Sequence, residues 1–195
     1  NDHLDWTEFE RLRQVPLATM GIFMSAYCPV ECEHCAVSGS RKAEQTSPER
    51  MIHCVEEMVQ RPHLKAIAIT GGEPFGEIDL LKPLASLVHN AQKTLVLYTS
   101  GYWGKKSLIE KVKPVLQLAD GLIFGIDLYH RAHIPDEDLV NALRRAREYG
   151  LWVTTQVIYD LEGDSHLSYA RLLLEKAFGA QWGNESTLVK STPLP

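Results

Sequence analysis

A single α/β domain built on a parallel sheet is the fold this sequence predicts, and three observations carry the prediction. Short apolar runs with strand character alternate with longer segments whose apolar residues recur at helical spacing. Glycine, proline and capping residues mark nearly every switch between the two. At 195 residues, with 45% hydrophobic and 23% charged content, the chain can bury one substantial core and is short for two.

The βα rhythm begins after about residue 20. Residues 1–20 are therefore read as an N-terminal extension and residues 21–195 as the core domain. The chain opens on Asn1 and closes on STPLP, so sequence beyond both ends is expected, including a C-terminal continuation of the core. Residues 21–27, GIFMSAY, are a short apolar run leading into a cysteine-rich stretch. Ser47-Pro48 starts a helix, with a capping hydroxyl followed by proline at the first helical position. Met51, Val55, Met58 and Val59 follow at helical spacing, and Arg61-Pro62 stops it. Residues 65–70, KAIAIT, are a buried-strand run closed by Gly71-Gly72. Leu80, Leu81, Leu84, Leu87 and Val88 mark the next helix, with Pro83 tolerated near its start. Residues 94–99, TLVLYT, form a third strand closed by Ser100-Gly101. Ser107 opens a helix that Pro114 is expected to kink or split before Leu116. Residues 122–127, LIFGID, are a fourth strand. Asp136 caps a helix carrying Leu139, Ala142, Leu143 and Ala146, and Gly150 stops it. Residues 151–158, LWVTTQVI, are a fifth strand, Ser165 opens a helix running to Gly179, and residues 187–191, TLVKS, are a sixth strand.

Strands alternating with helices imply parallel pairing through right-handed crossovers. Five or six such units fit a doubly wound sheet or a barrel, and periodicity does not separate the two. In both, chemistry gathers at the C-terminal ends of the strands. Five segments fall there: CPVECEHC after the first strand, GGEP after the second, TSG after the third, Asp127 at the fourth, and Gln156 to Tyr159 at the fifth.

Charge narrows the function classes. A net charge of −5 argues against a broad nucleic-acid surface. Arg144, Arg145 and Arg147 sit beside Glu148 on a helix and read as a solvated face. No apolar run approaches the ~20 residues of a membrane helix, and the mixed, acidic N-terminus is not a secretory signal. A cytoplasmic protein is expected. Three cysteines clustered in one stretch, with a sizeable core elsewhere, suggest metal or redox chemistry in a reducing compartment rather than disulfide stapling.

Those cysteines, Cys28, Cys32 and Cys35, are soft ligands suited to zinc or to an iron–sulfur cluster. A structural zinc site needs four closing ligands. The fourth would be His34, wedged between Cys32 and Cys35, or the distant His53 or Cys54. A cluster held wholly by protein also wants four cysteines. With only three, one iron stays open to a ligand that is not protein. Gly71-Gly72-Glu73-Pro74 reads poorly as a phosphate loop, because no Lys-Ser/Thr pair follows and Glu73 would repel a phosphate. It reads better as a cradle for a cation, with glycines admitting a ligand to the backbone and a carboxylate favouring an ammonium.

Cys28-x-x-x-Cys32-x-x-Cys35 resembles the signature of the radical S-adenosylmethionine (SAM) superfamily, and GGEP resembles its second hallmark. The resemblance implies a partial (β/α)6 barrel. It implies a [4Fe–4S] cluster on Cys28, Cys32 and Cys35, with SAM on the open iron. Gly71, Gly72, Glu73 and Pro74 would then contact the SAM amino group, and His34 would shape the SAM pocket. Ser100, in a segment similar to the family's polar-then-glycine turn, and Asp127 would bind the ribose or methionine part. Gly125 departs from the family's S-x-D pattern there. Gln156, Val157 and Ile158 lie where relatives pack the adenine. Tyr129, His130, Arg131 and His133 are substrate contacts or plain loop, and Cys54 is expected to be a small buried residue of a helix.

The implied chemistry is reductive SAM cleavage to a 5′-deoxyadenosyl radical that abstracts hydrogen from substrate, with the electron coming from a flavodoxin- or ferredoxin-type donor. GIDLYH and TTQVIYD look most like the larger MoaA/PqqE-like branch, which implies biosynthetic modification of a peptide or small metabolite. An activating enzyme for a glycyl-radical partner is the second reading. A non-enzymatic zinc or iron–sulfur module and an electron carrier are readings from other classes.

Overall fold

The computed structural model describes residues 4–33, 35–158, 165–184 and 186–191; His34 and Tyr159, singled out from the sequence, lie outside them. Six strands, β1 (Thr19–Phe23), β2 (Ala66–Thr70), β3 (Thr94–Thr99), β4 (Gly121–Gly125), β5 (Trp152–Ile158) and β6 (Ser186–Ser191), pair in parallel and in sequence order. Sequential order means that every crossover steps the same way, and right-handed crossovers then place every crossover helix on one face. A doubly wound sheet reverses its strand order at a switch point. This sheet never does, so it forms the open (β/α)6 barrel, with β1 and β6 at its two edges.

The helices are α1 (Trp6–Leu12), α2 (Pro48–Val59), α3 (Ile78–Asn90), α4 (Lys106–Leu116), α5 (Leu128–Arg131), α6 (Asp136–Glu148) and α7 (Ser165–Phe178). Strand pleating decides which residues meet them. Ile67, Ile69, Leu95, Leu97, Leu122, Phe124, Val153 and Val157 point outward into the main core with the crossover helices. Ala66, Val96 and Ile123 point inward and form a second, smaller cluster.

That inner cluster is covered by α1. Asp5 caps the helix, and Glu8 returns the bond in a capping box. Phe9, 1% exposed, packs on Ala66, Val96 and Ile123. The Trp6, Phe9 and Trp152 rings stack at centroid distances of 5.8 to 6.1 Å. The described residues before 21 take part in the fold: β1 begins at Thr19, and α1 covers the concave side. The physical reason is that six strands leave apolar inner surface that must be covered. Phe9→Ala is expected to destabilise the fold by about 3–5 kcal/mol. A fall in the chemical-denaturation midpoint checks it; an unchanged midpoint would show that the plug is dispensable.

Three local expectations are corrected. Pro114 does not split α4, which is one helix from Lys106 to Leu116. It sits in the last turn, where a missing N–H removes only one helical bond. The first residue of α6 is Asp136, with Pro135 at the cap position. Asp136 instead accepts from Tyr169 and pairs with Arg131 and Lys176. Cys54 is exposed, because Val55 and Val59 take the buried stripe of α2 and position 54 turns away from it. No helix among the described residues is long and apolar enough to cross a membrane.

Candidate active site

The loop after β1 carries the cysteines, and its backbone is tied down at both ends. Met24 N–H extends the β1–β2 ladder to Thr70 O at 2.8 Å. Further on, the chain doubles back, with Cys28 N–H donating to Ser40 O and Ser40 N–H to Ala26 O, both at 3.1 Å. The Arg41 guanidinium spans the loop to Pro29 O. Cys35 Sγ accepts from Gly39 N–H at 3.2 Å. Burial pushes the Cys28 thiol up, and the backbone N–H groups of Glu31 and Val30 donate to it and pull the other way.

The GGEP segment clamps this loop. Gly72 N–H donates to Ser25 O at 2.7 Å, and Glu73 N–H to Tyr27 O at 2.9 Å. The approach is so close that a Cβ on Gly71 would lie 2.6 Å from Ser25 O, and one on Gly72 2.2 Å from Tyr27 O. The glycines are thus required by the loop they hold as well as by any ligand above them.

The Glu73 side chain makes a second clamp, on the end of β3. It is 1% exposed and accepts from Ser100 N–H, Ser100 Oγ, Thr99 Oγ1 and Phe75 N–H. Thr99 Oγ1 in turn accepts from Gly101 N–H and Trp103 Nε1–H. Burial pushes the Glu73 carboxyl up, and these donors oppose it.

A cavity of roughly 940 Å³ opens at the C-terminal strand ends. All three cysteines line it, together with Gly71, Gly72, Ser100, Asp127 and Gln156. Three residues expected at a cofactor do not line it. The Glu73 carboxylate accepts from Phe75, Thr99 and Ser100 rather than facing the cavity, and Pro74 is buried beside it in a 3-10 turn. Val157 points outward into the helix layer, because Gln156 and Ile158 hold the inward positions of β5.

Asp127 lies just beyond β4 and caps α5, its Oδ1 accepting from Tyr129 and His130 N–H at 3.0 Å each. His130, which the sequence left open between loop and substrate contact, lines the cavity. Its Nδ1 lies 2.9 Å from Asp127 Oδ1. Burial works against the charged imidazole, but the hydrogen bond and charge of Asp127, with the nearby Cys32 sulfur, outweigh it and push His130 up to about 10. The one sequence signal was the three-residue spacing of Asp127 and His130, which becomes a contact only when a helix starts between them.

The donor set suits an iron–sulfur cluster better than one metal ion. Among the described residues no three His, Cys, Asp or Glu side chains converge to hold a single ion. Zinc would require its sulfurs about 2.3 Å from one point. A multi-iron cluster takes its thiolates on separate irons, and thiols spread around a shared cavity with N–H groups on their sulfurs fit that need.

Comparison with known proteins agrees with this geometry. Among curated proteins, YydG of Bacillus subtilis (strain 168), named for peptide biosynthesis, is 27% identical over 135 residues, covering 67% of this chain and 42% of YydG. Among solved structures, SuiB of Streptococcus suis matches with a TM-score of 0.67 at 14% identity, over 91% of this chain and 40% of SuiB. SuiB is also known bound to S-adenosylmethionine and to its precursor peptide SuiA. A radical SAM methyltransferase of Sphaerobacter thermophilus matches with a TM-score of 0.57 at 18% identity, over 90% of this chain and 57% of that one. These structural likenesses show a shared fold, and the chain spans less than half the length of YydG or SuiB. The Radical SAM superfamily model matches residues 22–169, from β1 into α7 and across the whole cavity. On that match this chain belongs to the Radical SAM superfamily, whose members use a [4Fe–4S] cluster and S-adenosylmethionine.

Proposed function

We propose that this chain is the catalytic core of a radical SAM enzyme that modifies a peptide. Cys28, Cys32 and Cys35 would hold the cluster, leaving its fourth iron to SAM. When bound, cluster and SAM together supply a one-electron cleavage of the sulfonium to methionine and the 5′-deoxyadenosyl radical that takes hydrogen from substrate. The observation that carries the reading is the convergence of three thiols and the Gly71-Gly72 turn on one cavity. Gly71 and Gly72 would present backbone to the amino-acid head of SAM, and Ser100 and Asp127 would orient it. Gln156 and Ile158 supply the inward face of β5 for the adenine. Tyr98 and Ile123 close the cavity from below, where α1 packs against them and shields the site from water. A flavodoxin- or ferredoxin-type protein would deliver the electron. The peptide class is supported by the naming of YydG for peptide biosynthesis and by the precursor peptide bound to SuiB.

The test is an anaerobic assay of reconstituted protein with SAM and dithionite. Brown protein that forms 5′-deoxyadenosine is expected, with Cys28→Ala, Cys32→Ala and Cys35→Ala at background. No 5′-deoxyadenosine from the wild type, or equal amounts from the cysteine variants, would sink the reading.

A further inference from the structure

Large apolar side chains left in solvent are few among the described residues, and two of them, Val37 (40% exposed) and Tyr129 (43%), line the cavity. Singly scattered apolar residues need no explanation, but two on different walls of one cavity do. Val37 belongs to the loop after β1. Ser38 N–H donates to Cys35 O at 3.1 Å, closing a tight turn with Ala36 and Val37 at its corners. Turn corners favour glycine, proline or small polar residues, yet this one holds Ala and Val, both exposed. Tyr129 stands on α5, beyond β4. Its ring packs on the His166 ring with centroids 5.2 Å apart. His166 is itself 9% exposed, and its Nδ1 accepts from Leu128 N–H at 3.2 Å, which ties it to the start of α5. The exposed part of the Tyr129 ring is therefore presented on a rigid support, so little ordering is needed to use it. Thr70 and Ser100, at the ends of β2 and β3, line the cavity between the two walls in strand order.

We propose that Val37 and Tyr129 are specificity-determining residues that together receive an apolar side chain of the peptide at the cavity. This rests on the peptide reading above and deepens it, because it states which kind of residue is selected. The driving force is the removal of apolar surface from water on both partners. A tyrosine ring supplies a large contact area with few torsions to freeze. A charged side chain in the same place would give up water against the Val37 methyl groups, which offer no hydrogen bond in return. Val37 lies two residues beyond Cys35, so a side chain seated on it is held beside the loop that carries the cysteines.

The experiment compares two pools of synthetic peptides on one Gly/Ser scaffold, one carrying Val, Leu, Ile or Phe at a central position and the other Gln, Lys or Glu. Peptide-dependent 5′-deoxyadenosine formation by the reconstituted protein gives kcat and KM for each pool. The wild type is expected to favour the apolar pool by about tenfold or more in kcat/KM. Val37→Ser and Tyr129→Ala should lose that preference, mainly through KM, whereas Val37→Ile and Tyr129→Phe should keep it. Both pools are measured on one preparation, so a partial loss of active enzyme cancels from the ratio. If the wild type does not distinguish the pools, or the Ser and Ala variants keep the full preference, the inference falls while the radical SAM reading stands. An equal loss on both pools would place the two residues in service of the cofactor or the loop and overturn it too. If neither pool raises the rate while dithionite still drives SAM cleavage, the inference and the peptide class fall together. A wild type that cleaves no SAM overturns every reading of the site.

Discussion

Gly72→Ala is expected to lower SAM cleavage by on the order of a hundredfold or more, together with the iron content of the reconstituted protein. The added Cβ would lie 2.2 Å from Tyr27 O, 2.6 Å from Tyr27 C and 2.9 Å from Ala26 O. All three are backbone atoms of the segment entering Cys28, so no flexible side chain can swing aside. The GGEP turn and the cysteine loop would have to part by roughly an ångström, a displacement of the size that misplaces a reacting group. Separation would also strain the Gly72–Ser25 and Glu73–Tyr27 backbone bonds. Iron and sulfide per chain and the rate of 5′-deoxyadenosine formation check the prediction. A fully loaded variant of normal rate would show that the two loops are not held against each other as described.

Glu73→Ala is expected to be the most destabilising single change at the site. The carboxylate has four donors around it and almost no solvent. The Thr99 and Ser100 hydroxyls can rotate to other acceptors, but the Phe75 and Ser100 N–H groups are fixed by the backbone. Orphaning a buried donor costs about 1–3 kcal/mol. Two such donors and the cavity left by the side chain give roughly 3–5 kcal/mol, a fall in Tm of about 10 °C or more. Glu73→Gln keeps the shape but turns an N–H₂ toward groups that are donors themselves, so it should recover only part. The expected order of Tm is wild type, then Glu73→Gln, then Glu73→Ala, read by thermal denaturation under anaerobic conditions. Wild-type stability in Glu73→Gln would mean that the carboxyl is held protonated, donating one bond of its own.

The GGEP turn thus has two faces. Its glycines line the cavity, and its glutamate ties the ends of β2 and β3 together from beneath. The sequence suggested a cation cradle, in which Glu73 would face the ligand. What sequence reading lacked was the position of Thr99 and Ser100, which stand on the next strand and come within bonding distance only through the β2–β3 register. The same limit applies to Val157. Its strand was legible, but which of Gln156 and Val157 faces inward depends on the pleat phase, and β5 is apolar on both faces in part.

α1 was missed for a different reason. WTEFERL is short and half charged, and no helix that brief announces itself by periodicity. It forms because the concave side of β2 to β5 offers an apolar surface to Trp6 and Phe9. Pro114 shows the converse, a strong local signal overruled because it falls in a helix's last turn.

By itself the sequence determined the features whose causes are local. Caps, breakers and apolar runs set the alternation of strand and helix, with β3 matching its predicted span from Thr94 to Thr99. The three-and-two spacing of Cys28, Cys32 and Cys35, followed by GGEP one βα unit later, indicated the family without any coordinates. Only the tertiary structure decided between a doubly wound sheet and an open barrel, since strand order is a relation among distant segments and leaves no trace in periodicity. It alone joined Glu73 to Thr99 and Ser100. Those contacts cross from one strand end to another, and a hydrogen bond over a few ångströms of space can span any distance along a chain.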